Sequence, residues 1–335
     1  MNRHNAPLVT VLTPVYNGAK YLEECIESVL NQTYENYEYI IVNNCSTDRT
    51  LEIALHHSAR DPRIRVHNNE QFVGVIANHN IAFNLMSPDA RYAKVVSGDD
   101  YLFADCIERM VEFAEAHPSV GIVGAYQLSG SIIKWQGFQY PTAVFPGRDI
   151  GHRCLLGPQV FVDREPVFGF GTPTSLIYRA DLVRATKEFY PNPSPHSDTS
   201  ACLSCLRHSD FGFIYQVLSY ERTHGETQSS ASKEMNRYSS AFLDDLLKYG
   251  SYYLSPDELK HTLNHTLRDY RRFLAKNYLL GSKDNDFWDY HEGRLEHLGY
   301  PLSRFDLLKT AMAAAVPFAL KSILTRLASL ERCSA

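Results

Sequence analysis

From Leu8 to Ala125 the chain repeats one unit: a short β-branched or aromatic apolar run, then a stretch whose apolar residues recur at helical spacing. "LVTVLTP" precedes "AKYLEECIESVLNQTY", which puts Tyr21, Leu22, Cys25, Ile26, Val29 and Leu30 on one face. "YEYIIVNN" precedes "STDRTLEIALHHSA", "RIRVHNN" precedes "VGVIANHNIAFNLM", "RYAKVVSG" precedes "DCIERMVEFAEAH", and "VGIVGA" follows. Strands this uniformly apolar are buried on both faces. Alternation with helices therefore predicts an α/β fold whose mostly parallel central sheet is flanked by helices and wound by right-handed crossovers. Ligands of such sheets bind beyond the carboxyl ends of the strands. Pro14 to Asn17, Asn43 to Ser46 and Ser97 to Asp100 fall at those ends, and Ser46 or Asp48 is expected to cap the second helix.

The pattern loosens from Tyr126 to Gly171, where Gly, Pro and aromatic residues dominate. It resumes in "TPTSLIYRADLVRA", a strand and helix, and in "FGFIYQVLSYERTH", a long strand or strand pair. "GETQSSASK" then has the composition of a movable lid. Everything after Met235 reads as helix. The expected organisation is a catalytic domain over 1–234, with a ligand-binding half at 1–124 and a second half with the lid at 125–234, then a helical C-terminal extension at 235–335. The last helix, "SRFDLLKTAMAAAVPFALKSILTRLASL", has a broad apolar face flanked by Lys309, Lys321 and Arg326. It can pack on the body, pair with a second copy or lie on a membrane surface.

Composition excludes several classes. The 335 residues carry a net charge of −5 and no Lys/Arg block, so nucleic acid is not an expected partner. No apolar run reaches the length of a membrane-spanning helix, and the first residues lack the pattern of a signal peptide. A cytoplasmic location is expected, with the C-terminal helix offering peripheral contact at the inner face of the membrane. Seven scattered cysteines suit a reducing compartment. Cys202 and Cys205, with Cys154 and His152, have zinc-compatible types, but the two thiols also lie one helical turn apart as small apolar residues would. His261 and His265 read as a surface helix. After the first strand only Gly18 is available, too little for the Gly-rich turn of a dinucleotide-binding oxidoreductase.

Asp99 and Asp100 close an apolar strand in "VVSGDDYLFAD". Adjacent carboxylates there repel each other unless a cation joins them. Mn2+ or Mg2+, which take one or two carboxylates and complete their shell with phosphate and water, would supply it. The structural alternative is a turn that caps the following helix at Ala104 to Ala116.

With these residues assembled, "VTVLTPVYNGAKYLEECIESVLNQTYENYEYIIVNNCSTDRT" and "VVSGDD" together resemble the family 2 glycosyltransferases, inverting enzymes of GT-A fold. The resemblance is strong over about residues 7 to 125 and weaker over 165 to 230. It implies a nucleotide-diphosphate sugar donor, UDP- or dTDP-linked, and a glycan or lipid-linked glycan acceptor in bacterial surface polysaccharide synthesis. Pro14 and Tyr16 match the turn that borders the base, with the Tyr ring as stacking surface. Asn44 matches an acid that accepts a hydrogen bond from a pyrimidine N–H; here the usual acid pair is Asn43 and Asn44. Asp99 would face the ribose or assist the metal, and Asp100 would ligate it through the diphosphate. Ser97 or Gly98 stands where a further acid is common, and His79 with Asn80 where Arg-Asn is common. Asp198 in "PHSDTSACL" matches the catalytic base, with His196 as local rival. His224 would complete the metal shell, and Arg222 the phosphate or metal shell. A non-catalytic sugar-nucleotide or glycan-binding protein of the same fold is the alternative.

Overall fold

A computed structural model describes residues 6–134, 137–157, 169–191, 193–194, 196–223, 235–281, 283–303 and 305–310. The chain divides into two compact units, Met1–Thr227 and Gln228–Ala335.

The first unit runs β1 (Val9–Val15), α1 (Leu22–Leu30), β2 (Tyr37–Asn43), α2 (Thr50–Ser58), β3 (Ile64–Asn68), α3 (Val75–Asn84), β4 (Tyr92–Val95), β5 (Tyr101–Leu102) and α4 (Cys106–Ala116). It continues with β6 (Val120–Ser129), β7 (Ile132–Lys134), β8 (Val144–Phe145), α5 (Gly147–Leu156), β9 (Leu176–Arg179), α6 (Ala180–Arg184), α7 (Ser197–Cys205) and β10 (Asp210–Glu221). The strands join one sheet in the order β3-β2-β1-β4-β9-β6-β10-β5, with β7 beside β6 and β8 beside β10. The mixed α/β fold expected from the pattern is present. The longest pairings, β1 with β2 and β6 with β10, are parallel.

Two features depart from the pattern's reading, and a third settles an alternative it left open. β9 inserts antiparallel between β4 and β6. The loose segment after Tyr126 holds β7, β8 and α5, elements too short or too rich in Gly to show a period. "FGFIYQVLSYE" is one strand, kept continuous by bulges that shift its register against β6.

The core forms because α1 presents Leu22, Cys25, Ile26 and Val29, spaced at three, one and three residues, to strand residues such as Val9, Val11, Tyr39 and Ile41. Full burial of each large apolar side chain contributes about 1.5–3 kcal/mol. Pro14 is tolerated in a central strand because β4 ends against Leu12, which leaves β1 with only β2 beside it at that height.

The second unit contains α8 (Arg237–Tyr253), α9 (Pro256–Leu280) and α10 (Asn285–His297) around Leu243, Tyr270, Leu274, Phe287 and Leu295. α9 begins at a Ser255–Glu258 capping box with Pro256 in its first turn and ends at left-handed Gly281, φ +58°. None of the described helices is long and apolar enough to cross a membrane. Most of the final helix expected from the pattern lies outside the described residues.

Candidate active site

β1, β2, β3 and β4 are mutually parallel, so Tyr16, Asn44, Asn69 and Ser97 all emerge at one edge of the sheet. The strand order reverses around β1, the position where an open sheet leaves a crevice.

The loops after β1 and β2 are bolted together. The Asn17 amide donates to Ser46 Oγ at 2.9 Å, the Gly18 amide to Thr50 Oγ1 at 2.8 Å, and the Ala19 amide to Asp48 Oδ2 at 3.1 Å. Asn17 and Cys45 turn these loops in the left-handed region, at φ +50° and +56°. The expected cap is corrected here. α2 starts at Thr50 after Arg49, Ser46 braces the neighbouring loop, and Asp48 takes the Thr50 amide at 3.0 Å from just outside the helix. Those hydrogen bonds hold the Asp48 carboxyl below the usual range against a raising effect of burial.

Tyr16 is 47% exposed at this edge, and its ring meets Phe72, 60% exposed, edge-on at 4.9 Å between centroids. Two exposed aromatic rings in contact form an apolar surface suited to a flat base. Pro14 is buried in β1, two residues before Tyr16. Asn44 is buried as well, and its amide is occupied: Oδ1 accepts from the Val73 amide and from Asn69 Nδ2, each at 3.0 Å, while Nδ2 donates to the Val73 carbonyl at 2.7 Å. Asn80 does the same for Tyr190, donating to its carbonyl at 2.7 Å and accepting from its amide at 2.9 Å. His79 stacks on the Tyr190 ring, with its pKa lowered by burial.

The acids after β4 sit on a tight turn closed by the Asp100 amide donating to the Ser97 carbonyl at 2.9 Å. Gly98 packs closely on β1: a Cβ there would stand 2.9 Å from Val15 Cγ2, so a side chain would force Val15 or the turn to shift. Asp100 is 4% exposed. Its Oδ2 accepts from Thr174 Oγ1 at 2.6 Å and its Oδ1 from the Arg222 amide at 2.9 Å. Burial pushes its carboxyl up to about 7; the two hydrogen bonds oppose this, and Asp99 and Glu221 add to it. Among the described residues no Lys or Arg pairs with it. Asp99 is half-buried, and its carbonyl accepts from Arg222 Nε at 3.0 Å. The Arg222 guanidinium pairs with Glu24 and lies 4.4 Å over the Tyr21 ring, so the side chain expected near phosphate is anchored to α1. Neither acid caps α4, which starts at Cys106 after Asp105.

Asp198 stands in the first turn of α7, half-buried, its Oδ1 accepting from the Thr199 amide at 2.8 Å. Its charge reaches Tyr178, Tyr190 and Cys202, whose pKa values burial already raises. The helix begins two residues earlier than a cap at Asp198 would require, with His196 at the cap position. Cys202 and Cys205 are buried on this helix, and among the described residues no three His, Cys, Asp or Glu side chains cluster to hold a metal. His224 lies outside the described residues, as does the segment expected as a lid. A cavity of about 450 Å³ at the opposite edge is lined by Arg91, Glu115, Arg179 and Asp181, which pair with one another.

Sequence reasoning missed Phe72, Lys94, Thr174 and the backbone role of Arg222. Lys94 alone gave a signal: a single charge inside an apolar strand. Thr174 acts through a turn far from Asp100 in sequence, and no pattern marks it.

A model of the glycosyl transferase family 2 matches residues 10–160. An uncharacterized glycosyltransferase of Haemophilus influenzae is 32% identical over 240 residues, 68% of this chain and 84% of that protein. A chondroitin synthase of Pasteurella multocida is 35% identical over 105 residues, 31% of this chain and 11% of its own. The chain spans 58%, 39% and 33% of the length of three other curated relatives it matches. Among solved structures, S. aureus TarS 1-349 in complex with UDP-GlcNAc aligns with a TM-score of 0.60 at 16% identity, over 87% of this chain and 80% of that one. Mannosyltransferase PcManGT from Pyrobaculum calidifontis, in complex with GDP-Man and Mn2+, aligns at 0.53 and 18% identity, over 95% and 81%. At such identities these likenesses speak for the fold, the expected GT-A arrangement.

Proposed function

The chain belongs to glycosyl transferase family 2, and from that premise we propose that it transfers a sugar, with inversion, from a nucleotide-diphosphate donor to an acceptor hydroxyl, using Mn2+ or Mg2+. The observation that carries this reading is Asp100, a buried carboxylate at the sheet's carboxyl edge with a second acid beside it and no cationic side chain among the described residues in ion-pair contact. Thr174 and Arg222 occupy two of the roughly four lone-pair directions of the carboxylate, which leaves room for a cation. A divalent ion would remove the charge penalty that lifts its pKa. Asp99 and Asp100 would hold the metal, which neutralises charge on the departing diphosphate. His224 is proposed as a further ligand.

The chain's own groups have separable tasks. Tyr16 and Phe72 offer a surface to the base, with Pro14 in the strand that leads to Tyr16. The Asn44 amide shapes that pocket by fixing the chain at Val73, so the base edge is read by other groups unless Asn69 yields its place. Asp198 takes the acceptor proton as the oxygen bonds to the anomeric carbon and the carbon–diphosphate bond breaks, a contribution of about 10²- to 10⁴-fold. All these residues lie in the proposed catalytic domain over 1–234, and the helical extension over 235–335 is assigned no chemistry. A UDP- or dTDP-sugar donor is supported by the UDP-GlcNAc bound to a neighbour of this fold. A glycan acceptor in polysaccharide assembly is supported by relatives named a chondroitin synthase and a putative teichuronic acid biosynthesis glycosyltransferase; a lipid-linked form of it is part of the proposal. Peripheral contact of the C-terminal segment with the inner face of the membrane would bring such an acceptor close.

The test is donor turnover with a panel of nucleotide sugars. Wild type is expected to hydrolyse one donor slowly with Mn2+ and not with chelator, and Asp198→Asn to bind that donor yet transfer almost nothing. Full transfer by Asp198→Asn would remove the assigned base. Tight donor binding with no turnover by wild type, with or without acceptor glycans, would favour the non-catalytic alternative suggested by Asn43 and Asn44.

A further inference from the structure

Lys94 stands in β4, the strand that ends at the acid pair, and is fully buried. Removing an ammonium from water costs several kcal/mol unless other groups replace its hydration. Among the described residues Lys94 enters no ion pair. Its Nζ instead donates to two backbone carbonyls, those of Thr174 and of Leu176, the latter at 3.0 Å. Both belong to one short stretch, the 3-10 turn Pro173–Ser175 and the first residue of β9.

That stretch is the one that holds Asp100. Thr174 Oγ1 donates to Asp100 Oδ2 at 2.6 Å and accepts from the Ser97 amide at 3.1 Å, tying the turn to both ends of the acid loop. Thr172, at the turn's entrance, donates to Gln127 Oε1 at 2.9 Å, and Gln127 is itself fully buried on β6. The turn is therefore fixed by the Lys94 Nζ and by the Gln127 amide, with the Thr174 hydroxyl on the carboxylate and the Ser175 hydroxyl turned back to the Thr172 carbonyl. A methionine or leucine at 94 would fill the same space at no electrostatic cost, yet would leave two buried carbonyls without their donor.

We propose that Lys94 is a positioning residue for Asp100: its buried Nζ pins the 173–176 turn so that the Thr174 hydroxyl holds the carboxylate in the orientation that receives the donor's divalent ion. The inference rests on the reading of Asp100 as a metal-binding acid. Lys94 makes no hydrogen bond or ion pair to Asp100 itself; it holds the turn through the Thr174 and Leu176 carbonyls, while the Asp100 charge opposes the lowering of its pKa by burial. The groups that orient a ligating carboxylate typically change metal affinity by about 10–100-fold when removed.

The experiment is Mn2+ binding to the purified full chain in the presence of UDP, read by the electron paramagnetic resonance of free Mn2+, with melting temperature followed in parallel. Lys94→Met and Thr174→Val are expected to weaken Mn2+ binding by about 10-fold or more, while Thr174→Ser, which restores the hydroxyl, stays within about threefold of wild type. A merely structural lysine predicts the opposite: a lower melting temperature with the Mn2+ affinity of the folded protein unchanged, and that result overturns the proposal. Unchanged affinity in Thr174→Val overturns it equally. Should Lys94→Met fail to fold, Lys94→Gln takes its place, since its neutral amide is one atom shorter and cannot reach both carbonyls; it is expected to weaken binding at least about fivefold. If wild type binds no Mn2+ with any nucleotide diphosphate, the metal-dependent reading itself fails and this inference with it. Binding by wild type that every variant retains removes the inference alone.

Discussion

Asp100→Asn separates what the acid does for stability from what it does for a ligand. In the metal-free protein the folded state raises this carboxyl from an ordinary 3.8 to about 7, chiefly through burial. Below about pH 4 the group is protonated whether the chain is folded or not, and it has no effect. As pH rises, the unfolded chain ionises first while the folded chain still holds its proton, so stability falls until the folded group ionises near 7. A shift of about three units corresponds to at most about 4 kcal/mol, all of it lost by pH 8. Asparagine cannot ionise, and its amide fits: Oδ1 keeps the Arg222 amide, and the Thr174 hydroxyl can reverse to accept from Nδ2. In chelator, the stability of Asp100→Asn relative to wild type is therefore expected to climb by several kcal/mol between pH 4.5 and pH 8, measured by urea unfolding at intermediate pH values. Mn2+ with UDP should restore wild type at pH 8 and leave the variant unmoved, because only a ligand of the folded state stabilises by mass action. Parallel stability curves for the two proteins across this range would refute the reasoning.

Elsewhere, buried His291 has its pKa pushed down to about 4 by burial; its Nε2 donates to the Met235 carbonyl and its Nδ1 accepts from the Tyr270 hydroxyl. Because its folded value lies below the unfolded one, the second unit should lose up to about 3 kcal/mol as pH falls from about 6.5 through 4, a loss absent from His291→Gln when followed by hydrogen exchange in α8 to α10. Tyr16→Ala and Phe72→Ala should each raise the donor KM by about 3- to 10-fold with kcat nearly unchanged, since a stacking surface binds ground and transition states alike; a fall in kcat alone would place these rings elsewhere in the reaction. Asn80→Asp sets a carboxylate against the Tyr190 carbonyl and is expected to destabilise the first unit by about 2 kcal/mol in thermal unfolding; an unchanged midpoint would show that this amide pair contributes nothing.

The sheet was legible in the chain because its signal is local. A strand buried on both faces must be apolar throughout, and a helix laid across it must repeat its apolar residues, as β1 to α1 and β4 to α4 do. The end of β4 was legible for the same reason, since the apolar run stops abruptly at Gly98 and two acids. Nothing local marks β9, which enters antiparallel between β4 and β6, or the register shifts that keep β10 continuous. Nor does residue type reveal that Asn44 spends its amide on Val73, or that Arg222 offers Asp100 its backbone and turns its side chain to Glu24. Sequence by itself determined the α/β alternation and the carboxyl edge of the sheet at which the two acids stand. Tertiary structure alone decided which groups hold those acids. Thr174 lies 74 residues from Asp100 and Arg222 lies 122, and a hydrogen bond depends on where folding brings two atoms.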